Sequence, residues 1–458
     1  MKQYFSWIDV VRIGLVQMSL GAIVILMTST LNRVMVVELA LPASLPGALV
    51  GWHYAVQMSR PRWGYGADQG GVRAPWIVGG MAVLGFGGIL AALSAMVIPM
   101  TAFGGYSLAI VAFTLIGIGV GAAGTNALAL LAAKTPPDRK AAAAAIVWIM
   151  MILGFVVTAA TVGSILDPFS MMRLFAVCAS VSIIAVAVTS LALWGLEAPK
   201  SASKAPTLGD VSSDTTKLAQ SERPQTVGGF KEALNDVWQD QQARRFTVFV
   251  FVSMLAYNAQ DLILEPFAGV VHGYSPGEST QLAGLQNAGV LLGMILTAII
   301  STTIGKSRGR FMRIWTMAGC LASAISFVAL AFGAFSQGIL GLSTNVFLLG
   351  ISNGAFAVAA IGSMMALASV GGKSVEGVRM GVWGAAQAIA FGLGGFVGAV
   401  AVDVVRGISG SPSAAFGTVF AMEAAVFMVA AFLAIRVGSD GDNVSLPAMP
   451  SAEGLAAE

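Results

Sequence analysis

The chain has 458 residues, 57% of them hydrophobic and only 10% charged, with a mean hydropathy of +0.82. Soluble domains carry about 25% charged residues, so this composition excludes a large soluble core and points to an all-α polytopic membrane protein. A net charge of +3 gives no basis for a nucleic-acid partner; where the charges sit is more informative.

Apolar runs of about 20 residues, the length that crosses a bilayer, predict twelve transmembrane helices. They fall at 11–31, 40–58, 75–98, 105–132, 142–165, 172–195, 246–270, 281–303, 312–333, 338–369, 379–402 and 413–435. Residues 1–10, with Tyr4, Phe5, Trp7 and Ile8, read as a short interfacial amphipathic piece. No small-residue cleavage site follows, so the first span reads as an uncleaved signal anchor. A polar stretch splits the spans six and six: an N-terminal six-helix bundle 1–195, a cytoplasmic linker 196–245, a C-terminal six-helix bundle 246–437 and a flexible cytoplasmic tail 438–458. In the linker, Phe230, Leu234, Val237 and Trp238 recur at helical spacing against Lys231, Glu232, Asp236 and Asp240, which predicts an amphipathic helix over 230–246.

The positive-inside rule tests this layout. With the N-terminus in the cytoplasm, every Lys and Arg falls on the cytoplasmic side except Arg33, Arg173 and Arg406. Moving any one helix in or out would spoil that alternation.

The motifs follow in chain order. His53, in Gly51-Trp-His-Tyr-Ala55, reads either as an axial ligand to the magnesium of a chlorophyll or as a buried histidine bonded to a neighbouring helix. Gly64, Asp68, Gly71 and Arg73 in the loop after span two match the major facilitator signature GxxxDRxGRR, with Gln69 and Val72 departing where Arg is usual. Such a turn lets an Asp meet a helix N-terminus and nearby Arg, latching that face; the plain reading is a polar hairpin. Gly119-Val-Gly-Ala-Ala-Gly124 is formally GxGxxG, yet no strand precedes it, so close helix packing is the reading, as for Gly394 to Gly398. Cys178 and Cys320 read as buried small hydrophobes in different halves.

The run Phe249 to Val271 carries two carboxylates four residues apart, Asp261 and Glu265, on one helix face. A charge at bilayer depth costs roughly 2.5–3.5 kcal/mol, so such a pair lines a protein interior, meets a partner or stays protonated. Pro266 follows and frees the carbonyl of Leu262 one turn back. The functional reading is a titratable or ligand-contacting pair facing a central cavity; the structural reading is a polar clamp. Asn258 extends the same face, and Glu423 is a third buried acid. Gln286, Asn287, Asn353 and Gln387 line a cavity or act as interhelical glue, and His272 reads as a solvated loop residue. No spacing fits a zinc site, a nucleophile–base pair or a phosphate loop, so no enzyme, structural metal or redox cofactor is expected.

Several blocks together carry a family resemblance. Gln260-Asp-Leu-Ile-Leu-Glu-Pro-Phe-Ala-Gly269, followed by Gly273 and Ser279-Thr280, resembles the QDxLLEPYGG…TT block of the PucC/LhaA family, with Phe267 for Tyr and Ala268 for Gly. Arg60 to Asp68 with Arg73-Ala-Pro-Trp76, Trp148 to Gly154 with Leu166-Asp-Pro-Phe169, Asn353 to Ala360, and Gly377 to Gln387 are similar to further blocks of that family. The resemblance covers nearly the whole chain outside the linker and tail. It implies the bacteriochlorophyll delivery branch of the major facilitator superfamily: twelve transmembrane helices as two six-helix bundles, in the inner (intracytoplasmic) membrane of a phototrophic bacterium, with both termini cytoplasmic. The implied role is assembly of light-harvesting antenna complexes, with bacteriochlorophyll as cargo or bound pigment. The implied partners are antenna α and β polypeptides, a pigment synthase and membrane insertion machinery. The alternatives are a proton-coupled small-molecule transporter using Asp261 and Glu265, and a pigment-biosynthetic enzyme subunit.

Overall fold

The computed structural model describes residues 4–60, 63, 72–136, 139–197, 238–303, 308–336, 341–369 and 373–437. Twelve helices succeed one another within them: α1 (Trp7–Glu38), α2 (Ser44–Gln57), α3 (Ala74–Val97), α4 (Ala102–Lys134), α5 (Lys140–Leu166), α6 (Met171–Leu193), α7 (Gln241–His272), α8 (Pro276–Thr303), α9 (Arg308–Gly333), α10 (Leu342–Ser369), α11 (Lys373–Ser409) and α12 (Pro412–Val437). Among the described residues there is no strand. Eleven of the helices are long and apolar enough to cross a membrane. The exception is α2, whose 14 residues reach about 21 Å at helical rise, short of the ~30 Å hydrocarbon layer.

Most spans lie within about five residues of the predicted ones, with departures at the N-terminus and in α11, which runs over Lys373–Ser409 against the expected 379–402. Ser6 and Asp9 close a capping box and the first helix starts at Trp7, so the expected interfacial piece is instead the opening turns of α1. That helix runs on to Glu38 through two π-helical stretches, Leu26–Leu31 and Val34–Glu38. The extension carries Arg33 out of the expected loop and into the helix, where it is 2% exposed. The amphipathic helix expected over 230–246 falls mostly outside the described residues, and from Gln241 onward the chain is α7. The tail 438–458 also lies outside them.

Lipid gives helices no hydrophobic reason to associate, so close contact rests on small residues. A methyl group added at Gly119 of α4 would lie 2.5 Å from the Leu84 amide nitrogen of α3, and one at Gly394 of α11 would lie 2.5 Å from the Leu255 carbonyl oxygen of α7. Both glycine runs therefore act as packing surfaces. Buried hydrophobic residues gather in two large clusters, one spanning Phe5 to Leu193 and joined by Leu262, the other spanning Ala243 to Ala434. The second is rich in aromatic rings: Phe327 stacks on Phe427 at 5.5 Å, and Phe267 meets Phe420 edge-on at 4.9 Å. Cys178 and Cys320 are buried, one in each cluster. The two halves meet where α1 packs on α7, α2 on α11 and α5 on α8.

Candidate functional site

The seam between α2, α7 and α11 holds the candidate site. Tyr54 of α2 has its ring centroid 6.2 Å from Phe391 of α11, and Tyr257 of α7 lies 6.4 Å from the same ring. The Asp261 carboxyl, one turn past Tyr257, is within electrostatic reach of both tyrosines and of Glu423 on α12. Asp261, Tyr54, Tyr257 and Phe391 are each only half-buried. Three aromatic rings and one carboxylate from both halves of the molecule thus gather at this seam, each partly exposed.

Neighbouring residues hold these groups in place. Asn258, 5% exposed, donates from Nδ2 to the Phe391 carbonyl at 2.6 Å, which ties α7 to α11 beside the ring. His53 packs on Tyr54 with ring centroids 4.3 Å apart. Its Nδ1 is 2.8 Å from the Val50 carbonyl and its Nε2 is 2.7 Å from Gln57 Nε2, so both ring nitrogens are engaged. Gln57 in turn accepts from Arg60. With Nδ1 donating to Val50, Nε2 is the acceptor for the Gln57 amide.

Asp261 and Glu265 share a helix face but not a neighbourhood. Glu265 is 2% exposed, and neither of its carboxyl oxygens has a hydrogen-bond partner within 3.5 Å. The Arg33 guanidinium of α1 acts on it electrostatically, and Ser279 of α8 is the nearby hydroxyl. Arg33 itself donates to the Tyr274 carbonyl at 2.7 Å and pairs with Glu38 at 2.5 Å, leaving Nε without a partner. Tyr274 is presented because Gly273, at φ +71°, ends α7 in a left-handed turn with its amide bonded to the Gly269 carbonyl. Asn32 donates to the Leu262 carbonyl at 2.7 Å, and Thr30 and Thr280 hydroxyls meet at 3.1 Å.

The other predicted residues are scattered. Asn353 accepts from Ser323 at 2.8 Å and binds α9 to α10. Gln286 is buried on α8, whose backbone there packs against Gly350. Asn287 donates to its own helix, at Ala283, over 2.9 Å. Gln387 is half-buried one turn before Phe391. Glu423 is 4% exposed, with no hydrogen-bond partner at either oxygen. Gly64, Asp68 and Gly71 lie outside the described residues; Arg73 precedes α3, where its amide and that of Ala74 donate to the Glu197 carboxylate at 2.7 and 2.8 Å. His272 is the last residue of α7, half-buried and edge-on to Phe267 at 4.8 Å, rather than a solvated loop residue. Reasoning from sequence passed over Tyr54, Tyr257 and Phe391. The signal for Tyr54 and Tyr257 was their position beside His53 and Asn258; Phe391 offered none among 24 phenylalanines.

Comparison with known proteins agrees with this architecture. A family model described as PUCC protein matches residues 30–441. A Rhodobacter capsulatus protein named bacteriochlorophyll synthase 44.5 kDa chain is 46% identical over 450 residues, covering 98% of this chain and 99% of its own. Protein PucC of Rhodobacter capsulatus is 28% identical over 444 residues, covering 93% of this chain and 91% of its own. Among solved structures, a D-xylose–proton symporter superposes with a TM-score of 0.69 at 14% identity, covering 96% of this chain and 99% of that one. The last likeness is one of fold alone, and the fold is that of the major facilitators.

Proposed function

This chain belongs to the PUCC protein family, and on that premise we propose that it is an assembly factor for bacterial light-harvesting antenna complexes rather than an enzyme. It handles bacteriochlorophyll within the membrane and docks antenna α and β polypeptides while pigment loads. The observation that carries this reading is the cross-seam group of Tyr54, Tyr257 and Phe391 around the half-buried Asp261 carboxyl. A chlorin is a broad planar amphiphile. Aromatic rings with a carboxyl and two phenol hydroxyls among them suit its flat face and its polar edge, and a bundle can hold it without carrying it across the bilayer. The name of the 46%-identical relative points to the same pigment. Antenna polypeptides are single helices, and docking them would rest on small residues that allow a close approach. The setting is the inner membrane of a phototrophic bacterium, with both termini cytoplasmic and pigment synthase and insertion machinery as further partners.

The test is gentle purification from photosynthetic membranes, read by absorbance and by mass spectrometry. Wild-type protein should carry bacteriochlorophyll and antenna subunits. The Tyr257→Ala/Phe391→Ala variant should lose pigment while staying monodisperse. Wild-type protein with neither pigment nor antenna subunits would overturn the reading.

A second reading is proton-coupled transport of a small molecule, favoured by Asp261 and Glu265 at the seam between halves. It expects pH-driven flux in proteoliposomes that Asp261→Asn abolishes. Normal antenna assembly in the Asp261→Asn/Glu265→Gln variant, with no flux in the wild type, would remove it.

A further inference from the structure

We propose that Asp403, Asp167 and Arg33 together lock the two halves shut at the end of the bundle opposite the N-terminus. Each of the three ties one element of the N-terminal half to one of the C-terminal half. Asp403 on α11 accepts from the Ala43 amide at 3.0 Å and the Ser44 amide at 2.7 Å, the first amides of α2. Helix α2 has no cap of its own, because its N-cap residue is Ala43. Asp167, just past α5, accepts from the Ser275 hydroxyl at 2.8 Å ahead of α8. Gly277, in the first turn of α8, sits so close to that carboxylate that an added methyl group would overlap it. Arg33 of α1 reaches the Tyr274 carbonyl in the α7–α8 turn.

The chemistry explains why these contacts hold. A helix N-terminus presents free amides and the positive end of its dipole, so an aspartate from the opposite half is a favourable cap. The Asp403 cap, the Asp167–Ser275 bond and the arginine bridge all act across the seam near one end, so separating the halves there breaks all three at once.

The experiment is pulsed dipolar spectroscopy on the full chain in lipid nanodiscs. Nitroxides are placed at Met100→Cys and Ile408→Cys, both 83% exposed and one in each half, with Cys178→Ala and Cys320→Ala as background. The otherwise unmodified chain should give one short-distance population. Asp167→Ala/Asp403→Ala should add a second population at longer distance. Should that variant fail to fold, Asp167→Asn/Asp403→Asn decides: the amides keep an acceptor but lose the charge, and a smaller long-distance population should appear. An unchanged distribution in the variant that folds overturns the proposal.

Discussion

The side-chain amide of Asn32 donates to the carbonyl of Leu262 at 2.7 Å, and Leu262 is the residue whose carbonyl Pro266 leaves without its helical partner. The first span therefore repairs a bond that the seventh span cannot make for itself. Because the two helices belong to different halves, that repair also pins one half to the other.

Replacing Asn32 with Ala should destabilise the protein by about 1 kcal/mol. That lies between the ~0.6 kcal/mol typical of a hydrogen bond inside a membrane protein and the ~1–3 kcal/mol of stranding a buried polar group. In a Pro266→Ala background the Leu262 carbonyl regains a helical partner, and the same substitution should cost measurably less. Chemical unfolding in detergent, run as a double-mutant cycle, reads the difference. Equal costs in both backgrounds would show that Asn32 does not serve the proline gap.

Gly293→Ala should be strongly destabilising, by about 1–3 kcal/mol or more, because the added methyl overlaps the Ile351 carbonyl oxygen of α10. Gly79→Ala meets nothing within 4 Å, and an alanine in a helix interior is favoured over glycine by roughly 0.5–1 kcal/mol. Thermal melts of the two variants should move in opposite directions.

His53→Phe should leave pigment content unchanged and lower stability by about 1–3 kcal/mol, because it strands the Gln57 amide that now faces Nε2. Absorbance of purified protein and a melting curve test both halves of the expectation. Loss of pigment with stability intact would instead mark His53 as a magnesium ligand.

Glu423→Gln should keep or raise the melting temperature, since neither carboxyl oxygen has a hydrogen bond to lose and removing an unpartnered buried acid relieves a desolvation cost. Glu265→Gln should gain less or lose, because the Arg33 guanidinium acts favourably on that carboxylate. Side-by-side melts of the two variants at neutral pH check the order.

Hydropathy made the spans legible because each is long enough to be read without its neighbours. The same logic placed Asp261, Glu265 and the Leu262 carbonyl as the point of interest. It misplaced Arg33, since an arginine beyond twenty apolar residues reads as a loop until Glu38 and Tyr274 are seen beside it. Tyr54, Tyr257 and Phe391 come from three helices, and no spacing along one strand of sequence encodes their meeting. Asp403 and Asp167 were hidden for the same reason: their partners, the Ala43 and Ser44 amides and the Ser275 hydroxyl, lie more than a hundred residues away, across the seam.

The widened turns of α1 have a consequence for how this chain tolerates length changes. A π-helical stretch accommodates one more residue per turn than an α-helix, so Leu26–Leu31 and Val34–Glu38 hold residues that a regular coil would not. Deleting one residue from Leu26–Leu31 would let that stretch close to a regular helix and keep Asn32 and Arg33 turned toward Leu262 and Tyr274. The same deletion in the regular turns of Trp7–Ile25 would shorten the rod by only about 1.5 Å yet rotate everything beyond it by roughly 100°. In the regular turns an indel is a change of address, not of size; in the widened ones it is absorbed.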